Sequence, residues 1–161
     1  MNTDTATQPP PASVHRGDDI CVSTWNINSI KAHLSVLTNY LDAHRPDIVM
    51  LQETKTENAG FPFFELNAMG YDAVAVGQKS YNGAAILAKG KIELTLDKLP
   101  NAPDGGDQAR FIETYSPALK SRFISVYVPN GQPSATDSES TERLEYKLAW
   151  LDALTDYARD L

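Results

Sequence analysis

The feature that most restricts this chain is the stretch Asp47-Ile48-Val49-Met50-Leu51-Gln52-Glu53-Thr54-Lys55, in which an apolar run delivers a single carboxylate at its end. A run this short, with β-branched residues and Pro46-Asp47 ahead of it, reads as a strand buried on both faces rather than as a helix. Such a strand belongs in a layered α/β fold. Strand ends there hand over to loops, so a polar group can meet a ligand without disturbing the core. Glu53 is expected to emerge at that edge. Taken alone, Gln52-Glu53-Thr54-Lys55 reads equally well as a solvated turn.

The sequence on either side extends the pattern. Ile20 to Ile27 alternates, with Ile20, Val22 and Thr24 on one face and Cys21, Ser23 and Trp25 on the other, which predicts a first strand. Ser29 is expected to cap a helix carrying Ile30, Leu34, Leu37 and Leu41 at helical spacing, closed by Arg45-Pro46. This strand, helix, strand order brings Asn26 and Glu53 to one edge if the two strands are parallel neighbours. Gly60 to Ala68 reads as a short helix in which Phe63, Phe64 and Leu66 pack. Tyr71 to Val76, Ala84 to Ala88 and Ile92 to Leu96 read as strands, and the polar loop of residues 77–83 joins the first two. Ala109 to Tyr115 and Arg122 to Val128 suggest a hairpin. The last stretch places Leu144, Leu148, Leu151, Leu154 and Ala158 on one helical stripe that needs a surface to cover.

Composition sets the outer bounds. The 161 residues, 42% hydrophobic with 9 Gly and 10 Pro, suit one globular domain over residues 20–161. Residues 1–19 hold Pro9-Pro10-Pro11 and almost no large apolar side chains, which predicts a disordered tail. No apolar run is long enough for a bilayer and no signal-type segment stands at the start, so the expectation is a cytoplasmic protein with no membrane partner. Cys21 is the one cysteine, which excludes an intramolecular disulfide and suggests a buried structural thiol. A formal net charge of -7 argues against a generic polyanion binder. The acidity is concentrated, however: Asp137 to Leu161 holds seven acids against three bases, whereas Ile20 to Gly90 holds six against five. A nearly neutral face around Glu53 is therefore free to meet phosphate.

Three strand edges offer Asn26, Glu53, and Tyr127 with Asn130, and the loops between them offer Lys79, Tyr81 and Arg110. A lone carboxylate among neutral amides suits magnesium, which takes one or two carboxylates and completes its shell with water and phosphate. His15, His33 and His44 show no zinc-ligand spacing with one another or with Cys21. No P-loop and no nucleophile elbow occurs.

Five motifs in order then carry a resemblance: Thr24-Trp25-Asn26-Ile27-Asn28-Ser29, Leu51-Gln52-Glu53-Thr54-Lys55, Gly77-Gln78-Lys79-Ser80-Tyr81-Asn82-Gly83, Gln108-Ala109-Arg110 and Tyr127-Val128-Pro129-Asn130-Gly131. From Ile20 to about Leu161 the chain resembles the exonuclease III family of abasic-site endonucleases, within the endonuclease/exonuclease/phosphatase superfamily. The resemblance implies an α/β layered sandwich with mixed sheets flanked by helices, present here as its first half, roughly the first sheet and its helices. It implies that Glu53 ligates magnesium, or manganese in its place, with Asn26 supporting metal and phosphate. Asn28 falls where members carry Asn or Asp near the metal. Tyr127 is implied to contact the scissile phosphate with Asn130 beside it, Tyr81 and Arg110 to touch the DNA backbone, and Lys55 to hold the Glu53 loop.

The implied reaction is magnesium-dependent phosphodiester hydrolysis on double-stranded DNA, at abasic sites or from 3′ ends, by a complete enzyme that is monomeric. One departure stands out. The family's Gly-Asp-x-Asn motif and late Asp-His pair are absent, since neither Gly17-Asp18 nor Gly106-Asp107 is followed by the required Asn. The 161 residues alone are thus expected to be inactive and, with a sheet face uncovered, prone to associate. An inositol-phosphate or lipid phosphodiesterase of the same superfamily, and a non-catalytic DNA- or partner-binding module, are the competing readings.

Overall fold

In the computed structural model, residues 19–132 and 137–161 are described, the side chains of 137 and 138 aside. Apart from Asp19, the expected tail over residues 1–19 lies outside the described residues. Strands β1 (Val22–Asn26) and β2 (Ile48–Gln52) run parallel, with Asn26 opposite Gln52, so the ends of both meet at one edge. Helix α1 (Leu34–His44) crosses between them. The short helix α2 (Phe63–Ala68) then leads to β3 (Tyr71–Val76) and β4 (Ala84–Lys89). β4 inserts antiparallel between β2 and β3, giving a mixed sheet in the order β1-β2-β4-β3. β2 is thereby central, as its unbroken apolar run requires.

A second sheet follows in the order β5-β6-β7, antiparallel throughout, from β5 (Glu93–Leu96), β6 (Phe111–Ser116) and β7 (Ser121–Val126). Helix α3 (Asp137–Arg159) covers its far side. The layers are helix, sheet, sheet, helix. Leu37 and Leu41 of α1 and Leu66 of α2 pack on Val49, Leu51, Ala85 and Leu87 of the first sheet. Ile48, Ala84 and Ile86 on its other face meet Ile112 and Phe123 of the second sheet. Phe111, Ile124 and Val126 receive Trp150, Ala153, Leu154 and Tyr157 from α3. The expectation of roughly the first sheet alone is corrected: three strands of the second sheet are present and cover β2, β4 and β3, while Val22 of β1 stays 46% exposed.

Other expectations shift in detail. α1 begins at Leu34, one turn later than Ser29 suggested, because Ser29 takes a left-handed backbone, φ 86°, where it and Ile30 bond the Glu53 loop, and only a single turn from Ser29 O to His33 N precedes the helix. The Ser29 hydroxyl instead accepts from Ala32 N at 3.4 Å. Leu66 is buried and Phe63, at the surface, packs its ring 4.7 Å from that of Phe61, but Phe64 is 84% exposed and does not do the packing expected of it. Cys21 is half-buried rather than buried. On α3 the inward face runs through Tyr146, Trp150, Ala153, Leu154 and Tyr157, leaving Leu144 and Leu148 about half exposed and Ala158 exposed. The aromatics win that face because they carry the most apolar area and have hydroxyls that find partners there. Among the described residues no helix is long and apolar enough to cross a membrane.

Candidate active site

Glu53 stands one residue beyond β2 with φ 54°, and Asn28, Ser29 and Lys55 are likewise left-handed. Such a backbone persists in non-glycine residues only where its surroundings fix it. Here they do. The strand of Glu53 and Thr54 is bonded on one side to Ser29 N and Ile30 N, and on the other Thr54 N and Lys55 N donate to Gly83 O and Asn82 O at 3.2 and 2.9 Å. At Gly83, with φ +93°, a Cβ would collide with Thr54 Oγ1, so only glycine lets the two loops close.

Two donors converge on the Glu53 carboxylate. Asn26 Nδ2 donates to Oε1 at 2.7 Å and Lys55 Nζ lies 3.1 Å from Oε2, with Tyr127 close enough to act on the same charge. The Asn26 amide above all, then Lys55 and Tyr127, hold Glu53 below the ordinary carboxylate range against the upward push of burial. Burial, and next the nearby Glu53 carboxylate, push Tyr127 above its usual value. Lys55 also donates to Asn28 Oδ1, and Asn28 N donates to Asn26 Oδ1 at 3.2 Å, so Asn28 joins the cluster as an orienting group.

Arg110 places its guanidinium 4.8 Å from the centre of the Tyr127 ring, and NH1 donates to Tyr127 O at 3.3 Å. Its Nε donates to Gln108 Oε1 at 2.8 Å. Asn82 Nδ2 donates to Gln78 Oε1 at 2.9 Å, and the same oxygen accepts from Ala109 N at 3.2 Å. Thus Arg110 is brought to the cluster through Tyr127. Tyr81 and Asn130 are not bonded to it. They line an open groove of about 610 Å³ beside it, with Gln108, Arg110, Arg143 and Tyr146. Tyr81 is 71% exposed, and Asn130 Oδ1 accepts from Gln132 N at 3.0 Å. Sequence reasoning passed over Gln78, Asn82 and Gln108 as positioning groups, although all three lie inside quoted motifs. Lys55, expected to hold the Glu53 loop, bonds both Glu53 and Asn28.

The donor set fits magnesium better than zinc. One ionised, partly exposed carboxylate with a carboxamide beside it suits a cation that keeps most of its water, and the Lys55 ammonium already occupies a cation's place beside Oε2. No group of three His, Cys, Asp or Glu able to hold a metal occurs among the described residues.

Residues 23–159 match the Endonuclease/Exonuclease/phosphatase family. Exodeoxyribonuclease III of Haemophilus influenzae is 27% identical over 121 residues, 72% of this chain and 44% of that protein. A solved 3′ phosphatase from Neisseria, bound to a product DNA hairpin, is 34% identical with a TM-score of 0.75, over 88% of this chain and 52% of its own. An AP endonuclease from Archaeoglobus fulgidus is 31% identical with a TM-score of 0.77 at the same coverage. The chain therefore spans about half the length of these relatives. With nearly all of its described length matched and the Glu53 cluster in place, the chain belongs to the Endonuclease/Exonuclease/phosphatase family.

Proposed function

We propose that this chain carries the metal- and phosphate-binding half of a magnesium-dependent DNA-repair nuclease that hydrolyses phosphodiesters of duplex DNA at abasic sites and from 3′ ends. The observation that supports this reading most is that Asn26 and Lys55 bond the Glu53 carboxylate at the edge where Tyr127, carried by the other sheet, comes close enough to act on its charge. Glu53, with Asn26 beside it, would hold magnesium, which when bound neutralises charge on the phosphate and on the departing oxygen. Manganese is an acceptable substitute. Tyr127 would turn its hydroxyl from Glu53 to a phosphate oxygen as negative charge develops there. Arg110 keeps that ring in place, and Arg110, Asn130 and Tyr81 line a groove suited to a sugar-phosphate backbone. The abasic and 3′-end specificity comes from the relatives' names and is carried to this chain as part of the proposal. The reading includes a monomeric complete enzyme in the cytoplasm, on sequence grounds alone.

The 161 residues by themselves are expected to bind without cutting, since no His, Asp or second Glu is bonded to the Glu53 cluster among the described residues to take a proton from water. The test is magnesium-dependent binding of a labelled duplex carrying an abasic analogue, against intact duplex and a soluble inositol phosphate. Preference for the abasic duplex supports the reading. Preference for the inositol phosphate would move the chain to the phosphodiesterases of the same family, and magnesium-independent binding of both would leave a non-catalytic module.

A further inference from the structure

We propose that Gln52 is a positioning residue that fixes the separation of Glu53 and Tyr127 by tying together the three strands that end at the site, an inference that rests on reading that cluster as catalytic. Gln52 is the last residue of β2, directly before Glu53, and its side chain reaches two other strands. Nε2 donates to Thr24 Oγ1 of β1 at 3.1 Å and to Ser125 Oγ of β7 at 2.9 Å. Met50 O, 3.3 Å away on its own strand, accepts from the same nitrogen. Ser125 Oγ in turn donates to Leu51 O at 3.3 Å. Thr24 stands two residues before Asn26, and Ser125 two before Tyr127. One amide therefore joins the three strands a single pleat behind the three site side chains.

The need for such a tie follows from the topology. Asn26 and Glu53 are carried by paired strands whose backbone ladder sets their register. Tyr127 belongs to the other sheet, and between the sheets lies an apolar layer of Ile48, Ile86, Ile112 and Phe123. Apolar contact is non-directional: it fixes how far apart two sheets lie and leaves them freer to slide. Hydrogen bonds are directional and short. A leucine at position 52 would bury without any polar cost, whereas an amide needs its partners met, and what it returns is alignment along the strands at the edge where alignment matters.

The test reads proximity rather than turnover. In the labelled 161-residue chain, nuclear Overhauser effects between the Tyr127 ring and the Glu53 side chain are measured in wild type, Gln52→Met, Ser125→Ala, the double variant and Thr24→Ser. The expected result is loss of the Tyr127 to Glu53 effect in Gln52→Met and in Ser125→Ala. Methyl effects among Ile48, Ile86 and Ile112 persist, and the double variant adds nothing, as for two halves of one bond. Thr24→Ser, which keeps the hydroxyl, retains the effect. Phe123→Leu serves as the control that loosens the apolar layer, and it too should retain it. Wild-type proximity in folded Gln52→Met and Ser125→Ala would overturn the proposal, as would equal loss in Phe123→Leu. Should Gln52→Met fail to fold, Ser125→Ala, which removes one oxygen, decides alone. If the chain shows no preference for an abasic duplex, the nuclease reading falls while this measurement still stands or falls on its own.

Discussion

Glu53 gathers an amide, an ammonium and a phenol around one negative charge, so the charge itself is the quantity to remove. Glu53→Gln keeps the shape and leaves an amide oxygen, and we expect magnesium affinity, read by titration calorimetry, to fall by about tenfold or more with little change in melting temperature. Tyr127→Phe should act differently. Its hydroxyl is one neutral group among several that would meet the phosphate, so affinity for the abasic duplex should stay within about twofold, the loss being reserved for the charge that develops during reaction. At this scale the sequence was legible where a residue ends a strand. Asn26, Glu53 and Tyr127 could be placed because alternation and apolar runs locate strand ends. Gln78 and Asn82 could not be weighed, because their roles depend on left-handed loops whose closure on one another only the tertiary structure shows.

The elements were legible wherever periodicity was strong and blurred wherever tertiary bonds override it. β2, β4 and the hairpin of β6 and β7 fall within a residue or two of their expected bounds. The start of α1 and part of the inward face of α3 do not, the first because Ser29 is left-handed against the Glu53 loop and the second because two tyrosines join Leu151 and Leu154 there in place of Leu144 and Leu148. Those tyrosines make α3 testable. Tyr146 donates to Asp104 Oδ2 at 3.0 Å and Tyr157 to Glu113, and burial first, then these bonds, push both phenols up to about 12. A folded-state value above the ordinary 10 contributes stability that is fully present below pH 10 and drains as pH rises towards 12. Thermal melts of the Tyr146→Phe, Tyr157→Phe double variant should therefore fall less steeply across that window than wild type. Asp104 works at the other end. Burial raises it, but Gly106 N, the Tyr146 hydroxyl and Gln108 N outweigh burial and hold it below 3.8, so its share is present above that value and is lost as acid titrates it. The loop pair has its own test: Gly83→Ala forces a Cβ into Thr54 at positive φ and should cost about 1–3 kcal/mol in denaturant melts, with magnesium binding weakened alongside.

For the whole molecule, the sequence led to an uncovered sheet, and the structure corrects it because β5, β6 and β7 were legible as strands but not as a second layer. Which strands share a sheet is decided by pairing between distant segments, and local pattern carries no information about that. With three apolar clusters joining helix, sheet, sheet and helix among the described residues, a single cooperative thermal transition is expected, checked by coincident near- and far-ultraviolet circular dichroism. The tie between the sheets also has a history in time. Gln52 and Ser125 are 73 residues apart, so a ribosome adding about 5–20 residues per second exposes the first long before the second, by roughly 4–15 s. Until Ile112 and Phe123 follow, Ile48 and then Ile86 of the nascent chain have neither to lie against, and the apolar floor of the first sheet is open to other chains and to chaperones. Slowing synthesis with rare synonymous codons between Ile92 and Phe123 should therefore raise the aggregated fraction while leaving the melting temperature of the recovered protein unchanged.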